Sequence, residues 1–134
     1  MNKERMLELA DHIEGLPMDN IWSTPQRDGF AMGNWWLSGE PACGTVGCIA
    51  GWAVSKYSVA NPFVIVGYDW ISKVRDILDL SYAQAKGLCV PAADLDIITP
   101  AQAAGTLRLM ASGCTAAGAW TQMGVQIHEH ESDT

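Results

Sequence analysis

Two segments of this chain, at residues 81–87 and 99–105, repeat a pattern that fixes where helices begin. They read S-Y-A-Q-A-K-G and T-P-A-Q-A-A-G. Each opens with a capping box: Ser81 or Thr99 accepts from the backbone N–H three residues on, and the glutamine at that position reaches back to the cap. Pro100 occupies the first helical position, where its missing N–H costs nothing. The repeat therefore predicts two helix starts.

Apolar residues recur at helical spacing in two other parts of the chain. Residues 2–15 predict an amphipathic helix that Asn2 caps and Gly15 ends. Residues 70–80 carry a second apolar stripe, and Asp69 is the predicted cap in front of it.

Length and composition place these helices in one folded unit. A chain of 134 residues with an apolar fraction of 49% is large enough to bury a core of its own. We predict a mainly α fold in which residues 1–127 form a single compact helical domain. Residues 128–134 are predicted to be a flexible polar tail.

Residues 16–42 differ in character, because prolines and glycines interrupt them among several tryptophans. We predict a long Trp-rich loop here, with at most a small β-ribbon, since these breakers exclude a helix. Aromatic residues beside polar ones are typical of interaction hot spots. The residues predicted to bind a partner are Trp22, Arg27, Asn34 and Trp36.

The segment 45–57 is short and apolar, and it predicts a further helix. Gly47 and Gly51 would lie four residues apart on one face of that helix, where glycine costs up to about 1 kcal/mol relative to alanine. A close approach of another backbone would offset that cost. Trp52 is predicted to be a core residue.

Two neighbouring sequence motifs are similar to motifs found in other proteins. Residues 30–35 read F-A-M-G-N-W and residues 43–52 read C-G-T-V-G-C-I-A-G-W. The chain resembles a group of small, uncharacterised bacterial and phage-encoded proteins with F-x-M-x-x-W ahead of C-G-T-x-x-C-x-A-G-W. The resemblance continues into both capping-box segments and brings no established activity with it.

Cys43 raises an enzymatic alternative. The helix predicted from residue 45 would place this thiol just outside a helix N-terminus, where the dipole favours a thiolate. A nucleophilic cysteine also needs a base, and His12 is the candidate for that role. A metal or redox site built on Cys43 and Cys48 is a further alternative.

Charge and hydropathy restrict the partners. Eight basic residues against fifteen acidic ones give a net charge of −7, with no basic stripe, so direct binding to nucleic acid is not expected. No apolar run has membrane-spanning length, and we expect a cytoplasmic protein with reduced thiols, no metal and no cofactor. Residues 97–127 contain one charged residue, Arg108, and could form the core or a contact between identical copies.

These observations favour a non-enzymatic module that binds another protein. The resemblance to phage-encoded proteins implies one special case, an inhibitor or modulator of a host system such as a defence system.

Overall fold

The computed structural model describes residues 1–18, 29–32, 36–38, 45–58 and 69–128. Within these ranges the fold is mainly α, as predicted, and contains six α-helices and one small sheet. The helices are α1 (Lys3–Glu14), α2 (Ile49–Tyr57), α3 (Asp69–Leu78), α4 (Tyr82–Cys89), α5 (Pro100–Ala111) and α6 (Ala116–Gln122). The strands are β1 (Gly29–Phe30), β2 (Trp36–Ser38) and β3 (Thr45–Gly47).

The helix starts follow from local hydrogen bonds. Asn2 caps α1 by accepting from the Arg5 N–H, as predicted. Both predicted capping boxes are present: the Ser81 and Thr99 side chains each accept from the backbone three residues on, and the glutamine there accepts from the cap N–H. These interactions explain why α4 and α5 begin where the repeat predicts.

The prediction for α3 was wrong at both ends. Asp69 is the first residue of the helix rather than its cap, and the helix ends at Leu78. Asp79 adopts a left-handed backbone with φ of 54°, and the Leu80 N–H then bonds the Arg75 carbonyl at 2.9 Å. This six-to-one bond is typical of a helix that terminates in a left-handed residue.

The sheet has β3 at its centre. β3 pairs parallel with β1, placing Phe30 beside Gly47, and antiparallel with β2, placing Trp36 beside Gly47. The segment predicted to be helical from residue 45 therefore begins as a strand. Gly47 does not share a helix face with Gly51, so the predicted glycine stripe was wrong. A strand allows residues 45–47 to bond two neighbours at once, which a helix would not.

The core is built between α1 and the later helices. Met6, Leu9, Ala10 and Ile13 form the buried face of α1, and its most extensive contact is with α5. In a second part of the core, α3 packs against both α2 and α4. The near absence of charge over residues 97–127 leaves core and interface as alternatives; seven of the twelve residues of α5 are buried, whereas Ile97 ahead of it is 68% exposed.

The short helix α6 packs against α4 and α5. Its first residue, Ala116, and the residue that follows the helix, Met123, each contact the glycine that ends one repeated segment. A Cβ on Gly87 would lie 2.9 Å from the Cβ of Ala116, and a Cβ on Gly105 would collide with the Met123 side chain. Glycine is thus required for the close approach to α4, because a larger residue would separate the helices.

The described chain ends near α4. The His128 N–H donates to the Ala92 carbonyl at 2.7 Å, which holds the start of the predicted tail. Residues 129–134 lie outside the described residues. None of the described helices is long and apolar enough to cross a lipid bilayer.

Candidate functional site

Several residues predicted to carry function lie outside the described part of the chain: Trp22, Arg27, Asn34 and Cys43. The backbone of Trp36 belongs to β2, beside Gly47. The predicted partner-binding loop therefore contains two strands of the sheet, and its role in binding stays a prediction.

Cys48, rather than Cys43, occupies the cap position of α2. Its side chain is buried and makes no capping hydrogen bond. Burial raises the pKa of the Cys48 thiol to about 11, outweighing the nearby backbone N–H groups of α2, which favour the thiolate. Because apolar burial outweighs the effect of the helix N-terminus, Cys48 is a neutral core residue at pH 7.

The other described cysteines are also free thiols. Burial raises the pKa of Cys89 well above its usual value, and the proximity of Cys48 adds to the effect. Cys114 is partly exposed. No group of three or more His, Cys, Asp and Glu side chains in the described ranges is arranged to hold a metal ion.

His12 lies against Trp52, with 4.9 Å between the ring centroids. The indole N–H of Trp52 donates to the Gly29 carbonyl at 3.0 Å, joining α2 to β1. The His12 imidazole also borders a shallow polar depression of about 540 Å³, whose other lining residues are Glu8, Asp11, Lys56 and Tyr57. Its pairing with Cys43 stays a prediction.

Two residues that line the depression, Glu8 and Tyr57, belong to a polar cluster. The Tyr57 hydroxyl donates to Glu8 at 2.7 Å, and the Arg5 guanidinium lies 4.9 Å from the centre of the Tyr57 ring. Burial raises the pKa of Tyr57, and its hydrogen bond to the Glu8 carboxylate raises it further. These contacts tie α1 to α2 and give the cluster a structural role.

The F-x-M and C-x-A-G-W parts of the resemblance motif belong to the hydrophobic core. Phe30, the last residue of β1, and Met32 just after the strand are buried, and Cys48, Gly51 and Trp52 are buried at the start of α2. Because β3 pairs with β1 and is followed directly by α2, the motif couples a strand pair to a helix. Its described residues explain packing rather than reactivity.

A different surface, which the sequence analysis did not single out, carries two mainly apolar cavities. The first is about 300 Å³ and lies between α4, α6 and the segment after each. The fully buried Trp120 forms part of its wall, and its indole N–H donates to the Gly87 carbonyl at 3.0 Å. Its other lining residues are Ala83, Lys86, Val90, Pro91, Ala92, Ala117 and Ile127.

The second cavity, also about 300 Å³, lies on the side of α4 that faces α3. Its lining residues are Ile71, Tyr82, Lys86 and Val90. Lys86 and Val90 line both cavities, so they separate one from the other. We call the two cavities, together with the stripe Tyr82, Lys86 and Val90, the α4 face.

The α4 face is apolar with one charge. Tyr82 is 43% exposed and Val90 is 38% exposed, while Lys86 is the charged residue among those lining the two cavities. Lys86 forms no ion pair with any residue that the structure describes. The spacing of Tyr82, Lys86 and Val90 at every fourth residue is visible in the sequence and could have indicated an exposed helical stripe.

No family model matches this chain, and neither the curated proteins nor the solved structures contain a match.

Proposed function

We propose that this chain is a non-enzymatic module that binds another protein through the α4 face. The observation that carries the proposal is the pair of apolar cavities flanking Lys86 and Val90. Concave, mostly apolar surfaces with few polar groups are where proteins bind ligands and the anchoring side chains of partners. Covering Tyr82 and Val90 would also remove exposed apolar area from water, which favours association.

The chemistry of the described thiols and imidazole supports binding over catalysis. Cys48 and Cys89 are buried with raised pKa values, and the His12 ring packs on Trp52. Neither thiol combines the exposure and the lowered pKa that a cysteine nucleophile needs.

The class of partner follows from the resemblance to phage-encoded proteins. On that basis the partner is a bacterial host protein in the cytoplasm, and the module acts as its inhibitor or modulator. Residues 22–36, with Trp22, Arg27, Asn34 and Trp36, would form a second contact surface in the same complex.

The repeated segments supply a matched pair of variants for the test. Ala83 and Ala101 are both exposed, and both are the second residue of a helix that starts with a capping box. Ala83 lines the first cavity, whereas Ala101 lines none of the cavities described. Glutamate is tolerated in the first turn of a helix, so both changes preserve the fold.

The experiment is affinity capture from bacterial lysates, followed by calorimetry with the purified captured protein. We expect Ala83→Glu to raise the Kd by about 30-fold, which corresponds to a hot-spot loss of about 2 kcal/mol. Ala101→Glu should leave the Kd within about twofold of the wild-type value, as expected for a surface change away from the contact. Equal binding by both variants would place the contact elsewhere, and failure to capture any stoichiometric protein would contradict the proposed function.

A further inference from the structure

We infer that the α4 face recognises an acidic, apolar segment of another protein: one apolar side chain enters each cavity, and a carboxylate between them pairs with Lys86. The inference rests on the proposed function and specifies the chemistry of the partner.

The apolar requirement comes from the cavity walls. In the first cavity, Val90, Ala117 and Ile127 supply accessible aliphatic surface, whereas the Trp120 ring is fully buried. In the second cavity, Val90 and the Tyr82 ring supply accessible apolar surface. Each volume is about 300 Å³, at the lower end of the range for small-molecule sites, and suits the insertion of a single large side chain.

The carboxylate requirement comes from Lys86. A partner that fills both cavities passes over Lys86, because this residue separates them. Covering an ammonium group without a counter-charge is costly, whereas a carboxylate forms a charge-assisted hydrogen bond with it. Among the residues that the structure describes, no aspartate or glutamate lines either cavity, so we assign the negative charge to the partner.

The same charge disfavours a second copy of this chain as the occupant. A two-fold contact centred on the α4 face would bring Lys86 of both copies together, and like charges across an interface oppose association. The chain as a whole carries a net charge of −7, so its general field repels acidic partners. A preference for acidic segments would therefore arise locally, at Lys86.

The test is selection from a random peptide library displayed against the folded chain. For the wild-type chain we expect enrichment of peptides with Asp or Glu between large apolar residues. Lys86→Glu should replace that preference with one for Lys or Arg. Lys3→Glu changes the net charge by the same amount at an exposed position that lines neither cavity, and it should retain the acidic preference.

The second measurement uses one enriched acidic peptide and its Glu→Gln or Asp→Asn analogue. We expect Lys86→Gln to weaken binding of the acidic peptide about tenfold, as for other hydrogen bonds to charged groups, and to leave binding of the neutral analogue unchanged. Binding of the acidic peptide should also weaken as salt screens the pair.

The outcomes separate the two proposals. If enriched peptides are apolar without acidic bias, or if Lys86→Glu leaves the bias unchanged, the carboxylate inference is overturned while the apolar contact stands. If enriched peptides bind Ala83→Glu as tightly as wild type, they bind away from the α4 face, and the proposed function fails with the inference. A library without any enriched peptide contradicts both.

Discussion

Gly87 approaches Ala116 so closely that a Cβ added to the glycine would lie 2.9 Å from the Cβ of the alanine. This contact joins α4 to α6 beside the first cavity of the α4 face, which Gly87 lines. A methyl group at this point has no flexible neighbour to displace, because the obstructing atom belongs to an alanine. The helices themselves would have to separate.

We therefore expect Gly87→Ala to lower the free energy of unfolding by about 1 to 3 kcal/mol, the usual cost of overpacking. Urea denaturation measures this. At the equivalent position of the other repeat, Gly105→Ala meets the flexible end of Met123, which can move aside. Alanine also gains up to about 1 kcal/mol over glycine in a helix, so Gly105→Ala should be neutral or stabilising. A larger loss for Gly105→Ala than for Gly87→Ala would contradict this account of how α6 is held.

Trp52 provides a second prediction, since it combines burial with a hydrogen bond to the Gly29 carbonyl. Trp52→Phe keeps most of the packing and loses the bond, and should cost about 1 kcal/mol. Trp52→Ala removes the ring and should cost about 3 to 5 kcal/mol. Thermal and urea unfolding of the two variants measure the difference, and equal losses would show that the indole N–H contributes most of the effect.

The thiols predict an order of alkylation and a dependence on pH. Cys114 is partly exposed and should react with iodoacetamide in the native protein much faster than Cys48 and Cys89. Peptide mass spectrometry after a short pulse gives the order. Rapid labelling of Cys48 would contradict its burial, and labelling of Cys43 faster than Cys114, abolished by His12→Ala, would favour the enzymatic alternative.

The pH dependence has a definite sign. The folded-state pKa of Cys48 is about 11, above its ordinary value near 9, so the unfolded chain loses this proton first as pH rises. The contribution of Cys48 to stability is complete below pH 9 and falls as pH rises from 9 through 11. In Cys48→Ala, the free energy of unfolding should therefore fall less steeply between pH 9 and 11 than it does in the wild-type protein. An unchanged slope in that variant would assign the decline to other groups.

Arg108 joins α5 to α1 by donating to Asp11 and Glu14, each at 2.8 Å. This contact holds the pKa of Glu14 below its ordinary value of 4.5. Its stabilising effect is present above pH 4.5 and is lost as pH falls through the lower folded-state pKa. Arg108→Gln should therefore reduce the melting temperature slightly at pH 7, and the difference from wild type should shrink in acid and in high salt. A difference independent of pH and salt would indicate lost packing instead.

The parts of the fold that could be predicted from sequence are those fixed by nearby residues. Asn2, Ser81 and Thr99 each bond a group three residues away, so their helix starts are visible in the sequence. Residues 45–47 were predicted as helix because a short apolar run has no period that distinguishes strand from helix. Their strand depends on β1 and β2, which lie elsewhere in the chain.

The candidate site shows the same limit. The stripe Tyr82, Lys86 and Val90 can be found from its spacing, but whether it is covered depends on where α3 and α6 pack. The burial of Cys48 also depends on the tertiary structure, and it reverses the effect that the helix dipole alone predicts. Local patterns therefore predicted the helices, while exposure and reactivity required the complete fold.

The contact between α1 and α5 also affects how this chain emerges from a ribosome. Asp11 and Arg108 are 97 residues apart. At about 5 to 20 residues per second, α1 is synthesised roughly 5 to 20 seconds before its main packing partner. During that interval the apolar side chains of α1 have no α5 to cover them, so a nascent chain stalled before residue 100 should be protected by chaperones that bind exposed apolar helices.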